Sequence, residues 1–388
     1  MIKISGVSVV RAALVVFALL IAAHSHAATV YIGGFAYSGD AASLDTRFHY
    51  TRGIEASLGS QTPGKLLREM LEKSPPQHFK IEPRAIADLS DNDQAIVAAL
   101  IMTNETVSVE EIGGIYKLLV NLRAQALFFD YKSMTIMRAY PISVAMLDVL
   151  DHPPTDAETS ARVRTLLLGG SDPGLLSRYV QRLDEASLSN TATRFVQISK
   201  VTVADPARAL LPQKLTSPGA SETWVADTFG EALSSQAGVP VLPYAKGYAI
   251  GKVMATQFSD GSIFNLKIPE ADYAITVDVT GLKRVPFGES AAGSSFIYAS
   301  YARIKMEEPL SAMVFFDSPL KNGETKAVPA TQQSVDDAPA YLDSLRGLFT
   351  RTATVFGGTN LPWLKAAAGG ADIDKQLADT RTVIQQCK

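Results

Sequence analysis

Two runs decide the fold: SETWVADTFGEALSSQAGVPVLPYAKGYA (residues 221–249) and ADYAITVDVTGLKRV (residues 271–285). The first run predicts a helix over Glu222–Gln236 because its apolar residues form one stripe, and Gly238 supplies the stop. A short buried strand follows this helix. The second run alternates apolar and polar residues strictly, which predicts a half-buried strand. The residues on its buried face are Tyr273, Ile275, Val277 and Val279.

The same region continues as consecutive antiparallel strands. Phe296–Met306 and Leu310–Phe316 predict two further strands that form a meander with the strand before them. The strand Arg194–Val203 precedes the helix, and a closing helix is predicted over Ala338–Thr352. The order is therefore strand, helix, short strand, meander and closing helix.

A weaker form of this order occupies the first half. Thr29–Tyr37 predicts the first strand, in which Gly33 and Gly34 indicate a bulge or a close backbone approach. Pro63–Lys73 predicts a helix, and Phe79–Pro83 predicts a short strand. This echo predicts a tandem of two α/β units, and a single mixed α/β domain with a similar order of elements is the alternative.

The remaining segments of the first half are assigned from composition and spacing. Ser38–Thr62 is polar and punctuated by glycine, which predicts a long loop, and the apolar spacing in Asp91–Asn104 predicts a second helix. Residues 115–150 predict an antiparallel meander. Helices are then predicted over Asp156–Leu168 and Leu175–Leu188.

The predicted fold class is α+β, with two mixed α/β units that each contain an antiparallel meander sheet with helices packed on one face. The length of 388 residues allows two domains of roughly 150 residues each. The predicted boundaries are 1–27 for a signal peptide, 28–190 for the first unit with its closing helices, 191–330 for the second unit, and 331–388 for a C-terminal helical segment and tail.

The composition argues against one large class of function. The chain is 47% hydrophobic and 19% charged with a formal net charge of -3, which is typical of an ordinary folded protein. A nucleic-acid-binding protein needs a basic surface to displace counterions from phosphates. This charge balance therefore disfavours a nucleic-acid partner.

The N-terminus predicts export. Lys3 and Arg11 precede an apolar run at Ala12–Ala23, and a small-x-small site ends at Ala27. This order predicts a secretory signal peptide that is cleaved after Ala27. A retained membrane anchor is the alternative, but the run is shorter than the ~20 residues that span a bilayer, and no later run is long enough. The predicted location is the periplasm, or outside the cell, with no integral membrane span after cleavage.

Cys387 is the single cysteine of the chain. It cannot form an intramolecular disulfide, and no cysteine follows the signal region to carry a lipid anchor. We expect Cys387 to lie in a frayed tail rather than to form an intermolecular disulfide.

No metal site or cofactor site is predicted. The histidines that remain after cleavage, His49, His78 and His152, lie far apart in the sequence and have no cysteine cluster beside them. A zinc site needs three or four converging ligands, usually delivered in closely spaced pairs. The glycine pairs of the chain lack both the lysine of a phosphate-binding loop and the spacing of a dinucleotide fingerprint. The histidines are predicted to be surface or loop residues.

Two short motifs imitate functional ones. Ser318 and Lys321 fit the letters SxxK, but their segment predicts a passage from strand to turn instead of the helical turn that brings the two side chains together. Asp88, Asp91 and Asp93 resemble a fragment of a calcium loop and are better explained by helix capping at Asp91.

Carboxylates are the remaining candidates for catalysis, because a glycosidase needs only two. Asp272 and Asp278 lie on the polar face of the predicted strand at 271–285, and a solvated outer face is the default for such residues. No catalytic residue is assigned. An exposed subset of the aromatic residues in the meanders, or an open strand edge, could instead bind a partner.

Three runs carry a resemblance to a group of envelope proteins: EALSSQAGVPVL, ADYAITVDVTGLKR and SSFIYASYARIKMEEPLSAMVFFDSPLKNGE. They resemble the α/β domain shared by the curli secretion protein family, the outer-membrane activators of penicillin-binding proteins, the N-terminal domain of TolB and the flagellar accessory proteins of outer-membrane rings. The resemblance covers the second unit and rests on core positions. The chain departs from the group in having neither a lipobox cysteine nor the amphipathic hairpins that build a channel.

The resemblance implies a non-catalytic exported envelope protein, an assembly or accessory component of secretion, pilus, flagellar or cell-wall machinery that acts through protein–protein contacts. The expected partner is an envelope protein complex associated with the outer membrane, and a homo-oligomer is one expected form. Two alternatives stay open: a hydrolase of envelope polymer that uses paired carboxylates, and a periplasmic protein that binds a small ligand between its units. A hydrolase predicts close carboxylates with shifted pKa values, whereas an assembly protein predicts an apolar or strand-edge patch.

Overall fold

A computed structural model describes residues 28–82, 86, 89, 95–112, 114–188, 194–217, 219–331, 335–359, 361–369 and 372–388. The predicted signal peptide at 1–27 lies outside the described residues. The chain has an α+β fold with two mixed sheets and helices packed on them, which confirms the predicted fold class.

The secondary structure is as follows. The strands are β1 (Thr29–Ser38), β2 (Lys80–Glu82), β3 (Ile96–Ile112), β4 (Ile115–Asp130), β5 (Thr135–Leu150), β6 (Val196–Val203), β7 (Val241–Leu242), β8 (Val253–Phe258), β9 (Ile263–Lys267), β10 (Tyr273–Ser290), β11 (Gly293–Glu308) and β12 (Met313–Pro329). The helices are α1 (Leu44–Arg47), α2 (His49–Leu58), α3 (Pro63–Lys73), α4 (Asp156–Leu168), α5 (Leu175–Glu185), α6 (Asp205–Arg208), α7 (Ala220–Ala237), α8 (Ala245–Tyr248), α9 (Ala338–Phe356), α10 (Leu361–Ala367) and α11 (Ile373–Gln386), with a short 3-10 turn at Gln213–Leu215.

The first sheet has seven strands in the order β2-β1-β3-β4-β5-β9-β8. β1 runs parallel to β2 and β3, while β3, β4 and β5 form an antiparallel meander. The hairpin of β8 and β9 comes from the second half of the chain. It pairs with the start of β5 through β9 and with the end of β1 through β8, so the pairing closes on itself. The side chains inside this ring form a separate apolar cluster.

The second sheet has five strands in the order β7-β6-β10-β11-β12. This order corresponds strand for strand to β2-β1-β3-β4-β5, with the same parallel and antiparallel senses. The helix that comes directly before the second strand of each unit is α3 in the first unit and α7 in the second. The two halves therefore share one topology.

The irregularities of the two sheets also correspond. Three residues interrupt the pairing of the first sheet, and three of the four residues that interrupt the second lie at matching positions, while Phe287 has no counterpart. The matching pairs are Gly33 and Ser199, Thr103 and Thr280, and Met137 and Phe315. The turns before β5 and β12 also each contain a residue with positive φ, Met134 at 53° and Ala312 at 57°. Because bulges are designed features of a sheet, their coincidence strengthens the correspondence of the two halves.

Helix α7 joins the two units. It packs on β6 of its own sheet and on β5 of the first sheet, and residues on all sides of it are buried. α3, α4 and α5 cover the first sheet and enclose one core with it. α9 and α11 pack with α7 on the second sheet and enclose another core. The helix α9 that packs on β11 and β12 begins after the boundary predicted at residue 330.

Several local predictions are confirmed. α3 spans Pro63–Lys73 as predicted, and the Thr62 side chain accepts a hydrogen bond from the Lys65 backbone N–H. α4 spans Asp156–Leu168 and begins with a reciprocal capping box between Thr155 and Glu158. The predicted bulge in β1 is present at Gly33.

The predicted helix at Asp91–Asn104 is wrong. Residues from Ile96 onward belong to the long strand β3, and residues 91–94 lie outside the described part of the chain. Val97–Met102 are all buried, because helices cover one face of β3 and the closed ring encloses the other. A strand buried on both faces is a continuous apolar run, which periodicity alone does not distinguish from a buried helix.

The predicted loop at Ser38–Thr62 is also wrong, since it contains α1 and α2. The cap of α2 comes from far along the chain: the Glu105 carboxylate accepts the backbone N–H groups of Tyr50 and Thr51 at 2.9 and 2.8 Å. A carboxylate at a helix N-terminus stabilises the helix, but its position on β3 is invisible in the local sequence.

Two further predictions are corrected near the end of the chain. β12 extends from Met313 to Pro329 without a turn at Asn322 and Gly323, because the Asn322 side chain donates to the Ser344 carbonyl of α9 and holds the strand there. Cys387 does not lie in a frayed tail: it is 1% exposed, and its carbonyl accepts a hydrogen bond of 2.8 Å from Arg138 of β5. Burial raises the pKa of the Cys387 thiol to about 12.

Candidate functional site: the open edge of the first sheet

The last part of β5 forms an open strand edge. β5 pairs with β4 on one side, but on the other side it pairs only at Thr135, with Lys267 of β9. α7 covers the middle of β5, where Ser143 Oγ bonds the Glu231 carboxylate at 2.8 Å. Beyond this contact, Ala145–Leu150 has no strand partner on its outer side among the described residues.

Two observations show which residues direct their backbone groups away from the sheet. Pro141 has no N–H to donate to β4, so it occupies an outward position. The Val149 N–H donates to the Asp148 carboxylate at 2.9 Å and is therefore also directed outward. Because antiparallel strands alternate, the outward residues of the open segment are Ala145, Leu147 and Val149. Their N–H and C=O groups are a template for another strand.

The side chains of the same residues make this edge apolar. Leu147 is 61% exposed and Val149 is 57% exposed. They lie opposite Leu119 and Lys117 of β4, and Ile115 at the start of β4 is 44% exposed. An open edge with exposed apolar side chains is unusual in a soluble protein, because such edges template aggregation unless they bind a partner.

The only charged residue of the open segment is neutralised. Asp148 lies on the opposite face of β5 from Leu147, and Arg162 of α4 donates to its Oδ2 from Nε at 3.0 Å and from Nη2 at 2.9 Å. The edge therefore presents backbone and apolar groups with little net charge.

The corresponding edge of the second sheet is protected. The residues of β12 that match the outward residues of β5 are Gly323, Thr325 and Ala327. Lys321 precedes them at an outward position, and Pro329 ends the strand. Lys326 matches Asp148 and likewise forms an ion pair, with Asp343 of α9 at 2.8 Å. Lysine and proline on an edge are the usual devices against strand addition. The contrast singles out β5.

The contact between the two units is polar and closely packed. Arg123 of β4 donates to Thr228 Oγ1 at 3.0 Å and lies 3.6 Å from the Asp227 carboxylate, and all three residues are buried. Beside them, Gln125 Oε1 has no hydrogen-bond donor among the described residues. A cavity lined by Gln125, Asp227 and Tyr244 has room for about one water molecule.

The candidate carboxylates do not form a pair. Asp272 accepts the Arg194 guanidinium at 2.8 Å and the Phe195 N–H at 2.7 Å, and Asp278 accepts the Thr202 hydroxyl at 2.6 Å. Asp272 directly precedes β10 and Asp278 lies within it. The extended backbone therefore separates their Cα atoms by about 20 Å. Paired glycosidase carboxylates lie at most about 9.5 Å apart. Asp278 has the solvated position that the sequence predicts.

The histidines do not converge. His49 stacks edge-to-face on Tyr50. The hydrogen bond to the Pro153 carbonyl and then the Glu158 carboxylate, 3.6 Å away, raise the pKa of the exposed His152. Within the described part of the chain, no group of three histidine, cysteine, aspartate or glutamate residues could hold a metal ion. His78 is exposed.

The SxxK motif is accidental in geometry. Ser318 and Lys321 both lie in β12, where Ser318 is fully buried and Lys321 is exposed. An odd spacing in a strand directs the two side chains to opposite faces. Asp88, Asp91 and Asp93 lie outside the described residues, so the predicted cap at Asp91 stays a prediction.

Most meander aromatics are core residues. Phe128, Phe129, Tyr298 and Phe316 are buried, and Tyr131 is 8% exposed. The exposed apolar residues of this edge are therefore aliphatic, and none of them belongs to the aromatic subset that the sequence suggested for partner binding. The run Ala145-Met-Leu-Asp-Val-Leu150 carried one usable signal: apolar residues continue at every outward position up to the end of the meander, without the lysine and proline found in β12.

Comparisons with known proteins show only distant similarity. No family model matches the chain, and no curated protein matches it. A DUF330 protein from Xanthomonas campestris is similar at 14% identity over 43% of this chain and 83% of its own, with a TM-score of 0.24. A minor lipoprotein from Acinetobacter baumannii is similar at 10% identity over 40% and 87%, with a TM-score of 0.18. A lipoprotein from Neisseria meningitidis is similar at 13% identity over 36% and 96%, with a TM-score of 0.17. These similarities do not confirm the families that the second unit resembles.

The helices were also compared with the requirements of a membrane span. In the described ranges, none of them combines the length and the apolarity needed to cross a bilayer.

Proposed function

We propose that this chain is an exported protein of the bacterial envelope that serves as an accessory or assembly component and binds a protein partner by strand addition at the open end of β5. The observation that carries the proposal is this edge, where Leu147 and Val149 are exposed beside outward backbone groups. In strand addition the main chain supplies affinity, and alternate side chains supply specificity. The basic and apolar N-terminal run supports export.

The other two functions weighed from the sequence have less support. A carboxylate hydrolase needs two acids in one cleft, whereas Asp272 and Asp278 are far apart on one strand and each is engaged by a neighbour. A small-ligand protein needs a pocket of roughly 300–1,000 Å³, whereas the cavity between the units has room for about one water molecule.

Site-specific photocrosslinking tests the proposal. A photoreactive residue is placed at position 147 of β5, and the matched control carries it at position 325 of β12, which has the same place in the second sheet. Both proteins are expressed with their natural N-terminus, and the envelope fraction is irradiated. We expect one adduct of defined mass from position 147 and none from position 325, and mass spectrometry identifies the partner.

Two outcomes would count against the proposal. Equal adducts from both positions would mean that contact is non-specific, and the absence of an adduct from position 147 in folded, exported protein would remove the role of the edge. Recovery of the full-length protein in the cytoplasm, with residues 1–27 retained, would contradict export.

A further inference from the structure

We infer that the occupant of the β5 edge is a second copy of this chain, paired antiparallel about a two-fold axis that passes beside Leu147. The inference rests on the proposed function, because it names the partner of the same edge. A two-fold interface requires a patch that is complementary to itself. Ala145–Leu150 meets this requirement in its backbone, its side chains and its charge.

The backbone requirement follows from the outward residues. With Leu147 opposite Leu147 of the second copy, Ala145 lies opposite Val149 and Val149 lies opposite Ala145. All three are outward positions, so the Leu147 pair would exchange both N–H···O bonds. Each Ala145–Val149 pair would gain the bond from the Ala145 N–H to the Val149 carbonyl, because the Val149 N–H already donates to Asp148. A pairing displaced by one residue would place inward residues against outward ones and would lose these bonds.

The side chains fit the same alignment. Ala145, Leu147 and Val149 share one face of the strand, so the two copies would place leucine against leucine and a small residue against a larger one. Leu147 and Val149 are 61% and 57% exposed, so this contact would remove apolar surface of both side chains from water. Leu119 and Ile115 of β4 extend the same apolar face.

The charge distribution permits the approach of two identical edges. Asp148 is the only charged residue in the open segment, and Arg162 holds its carboxylate on the opposite face from Leu147. Two copies would therefore meet without an uncompensated pair of like charges, which would be destabilising if directly opposed. At the corresponding edge of β12, each copy would bring the exposed cationic side chain of Lys321 to the contact.

Cysteine pairing tests this alignment directly. In a background with Cys387→Ala, the Leu147→Cys variant should form a covalent dimer under mild oxidation. Facing hydrogen-bonded residues have Cα atoms about 5.5 Å apart, within the range of a disulfide. Ala145→Cys alone should remain monomeric on a denaturing gel. A mixture of Ala145→Cys and Val149→Cys should form the heterodimer, because those two positions face each other.

The matched control is Thr325→Cys in β12, which occupies the same place in the second sheet. It should not form a disulfide under the same conditions. Light scattering supplies a second measurement that does not depend on cysteine: wild type should have the mass of a dimer, and Leu147→Lys the mass of a monomer. Thermal melting of each variant shows that its fold is retained.

The outcomes separate this inference from the proposed function. One outcome is that wild type is monomeric and Leu147→Cys forms no disulfide, while the photoreactive residue at 147 captures a different protein. The pairing with a second copy is then overturned, and strand addition at β5 stands. If neither a disulfide nor an adduct forms, both are overturned. If Leu147→Cys and Thr325→Cys dimerise equally, the pairing reflects random collision and the inference falls.

Discussion

The two sheets have the same topology and share three bulges but have opposite chemistry on one face. In the first sheet, Leu127, Phe129 and Ala139 lie inside the closed ring and are fully buried. The residues at the matching positions of the second sheet are Lys305, Glu307 and Asp317. Lys305 pairs with Glu307 at 2.5 Å, and Asp317 accepts Arg303 at 2.6 and 2.7 Å.

The difference follows from what covers each face. The hairpin of β8 and β9 closes over the first sheet and removes that face from water, whereas the matching face of the second sheet is partly exposed. A charged side chain costs several kcal/mol to bury without compensation, and an exposed apolar face invites association. The two halves therefore share their topology and three bulges. The polarity of a sheet face depends instead on whether other elements cover that face. Shared bulges favour duplication of one ancestral unit.

The largest expected effect on stability comes from replacing a buried residue of the first sheet with the charged residue type found at the matching position of the second sheet. Leu127→Lys should destabilise the protein by at least about 4 kcal/mol, because it removes a buried leucine and introduces a charge into the ring. Urea denaturation followed by circular dichroism measures the change. The reciprocal variant Lys305→Leu should change the free energy of unfolding by less than about 1 kcal/mol, since it removes only an exposed ion pair. Equal losses of unfolding free energy in the two variants would show that the β8–β9 hairpin does not make the two faces different.

A second expected effect concerns the contact between the sheets. Arg123→Ala removes the guanidinium that lies 3.6 Å from the buried Asp227 carboxylate, and it should cost about 3 kcal/mol. Because this contact joins the first sheet to α7, the unfolding curve should also separate into two transitions. Chemical denaturation monitored at several wavelengths measures both effects.

The control for this variant is Arg303→Ala in the second sheet, which breaks the exposed pair with Asp317 and should cost under about 1 kcal/mol. A single sharp transition in Arg123→Ala, with stability like that of the control, would mean that the polar contact contributes little to the joining of the units.

The sequence predicted the parts of this fold that depend on local pattern. The strict alternation at Tyr273–Val279 identified β10, and Gly238 marked the end of α7, where it adopts φ 67°. β3 was missed because both of its faces are buried, so its apolar residues have no period. α2 was missed because its cap is Glu105, far away in sequence.

The sequence predicted the type of candidate site, a strand edge, but not its location. A strand edge could be anticipated from the meander, but which edge is open depends on where α7 and β9 lie on β5. Those contacts join β5 to α7 and β9, which come roughly 90 and 130 residues later in the chain. The buried position of Cys387 has the same cause, since its partner Arg138 belongs to the other unit.

A smaller effect is expected from the ion pair that holds the start of α7. Arg208 hydrogen bonds lower the pKa of Glu222 from 4.5 to about 2. A lowered carboxyl pKa stabilises the fold above the unfolded pKa, and this stabilisation is lost as pH falls from about 4.5 through about 2. Glu222→Gln should therefore cost about 1 to 2 kcal/mol at neutral pH, after allowance for partial solvent screening, and most of this cost should be gone at pH 2.

Denaturation of wild type and Glu222→Gln across this pH range measures the difference. Glu289→Gln, on the exposed end of β10, is the control and should not change the free energy of unfolding at any pH. The start of α3, the corresponding helix of the first unit, is capped instead by the neutral Thr62 hydroxyl. Thr62→Ala should thus cost about 1 kcal/mol without this pH dependence. A difference for Glu222→Gln that is as large at pH 2 as at neutral pH would contradict the assignment to the ion pair.

The smallest expected effect is on local opening at the chain end. Arg138 of β5 corresponds to Phe316 of β12. Phe316 packs in the core of the second unit, whereas Arg138 donates a hydrogen bond to the Cys387 carbonyl. The buried thiol should react with iodoacetamide only when the end of the chain opens, and Arg138→Met should raise that rate about tenfold, which corresponds to about 1.4 kcal/mol of local stability. Arg162→Met, which breaks a pair remote from the C-terminus, should leave the rate unchanged. Immediate labelling of native wild type would show that Cys387 is accessible, and an unchanged rate in Arg138→Met would show that the hydrogen bond between the units does not hold the end in place.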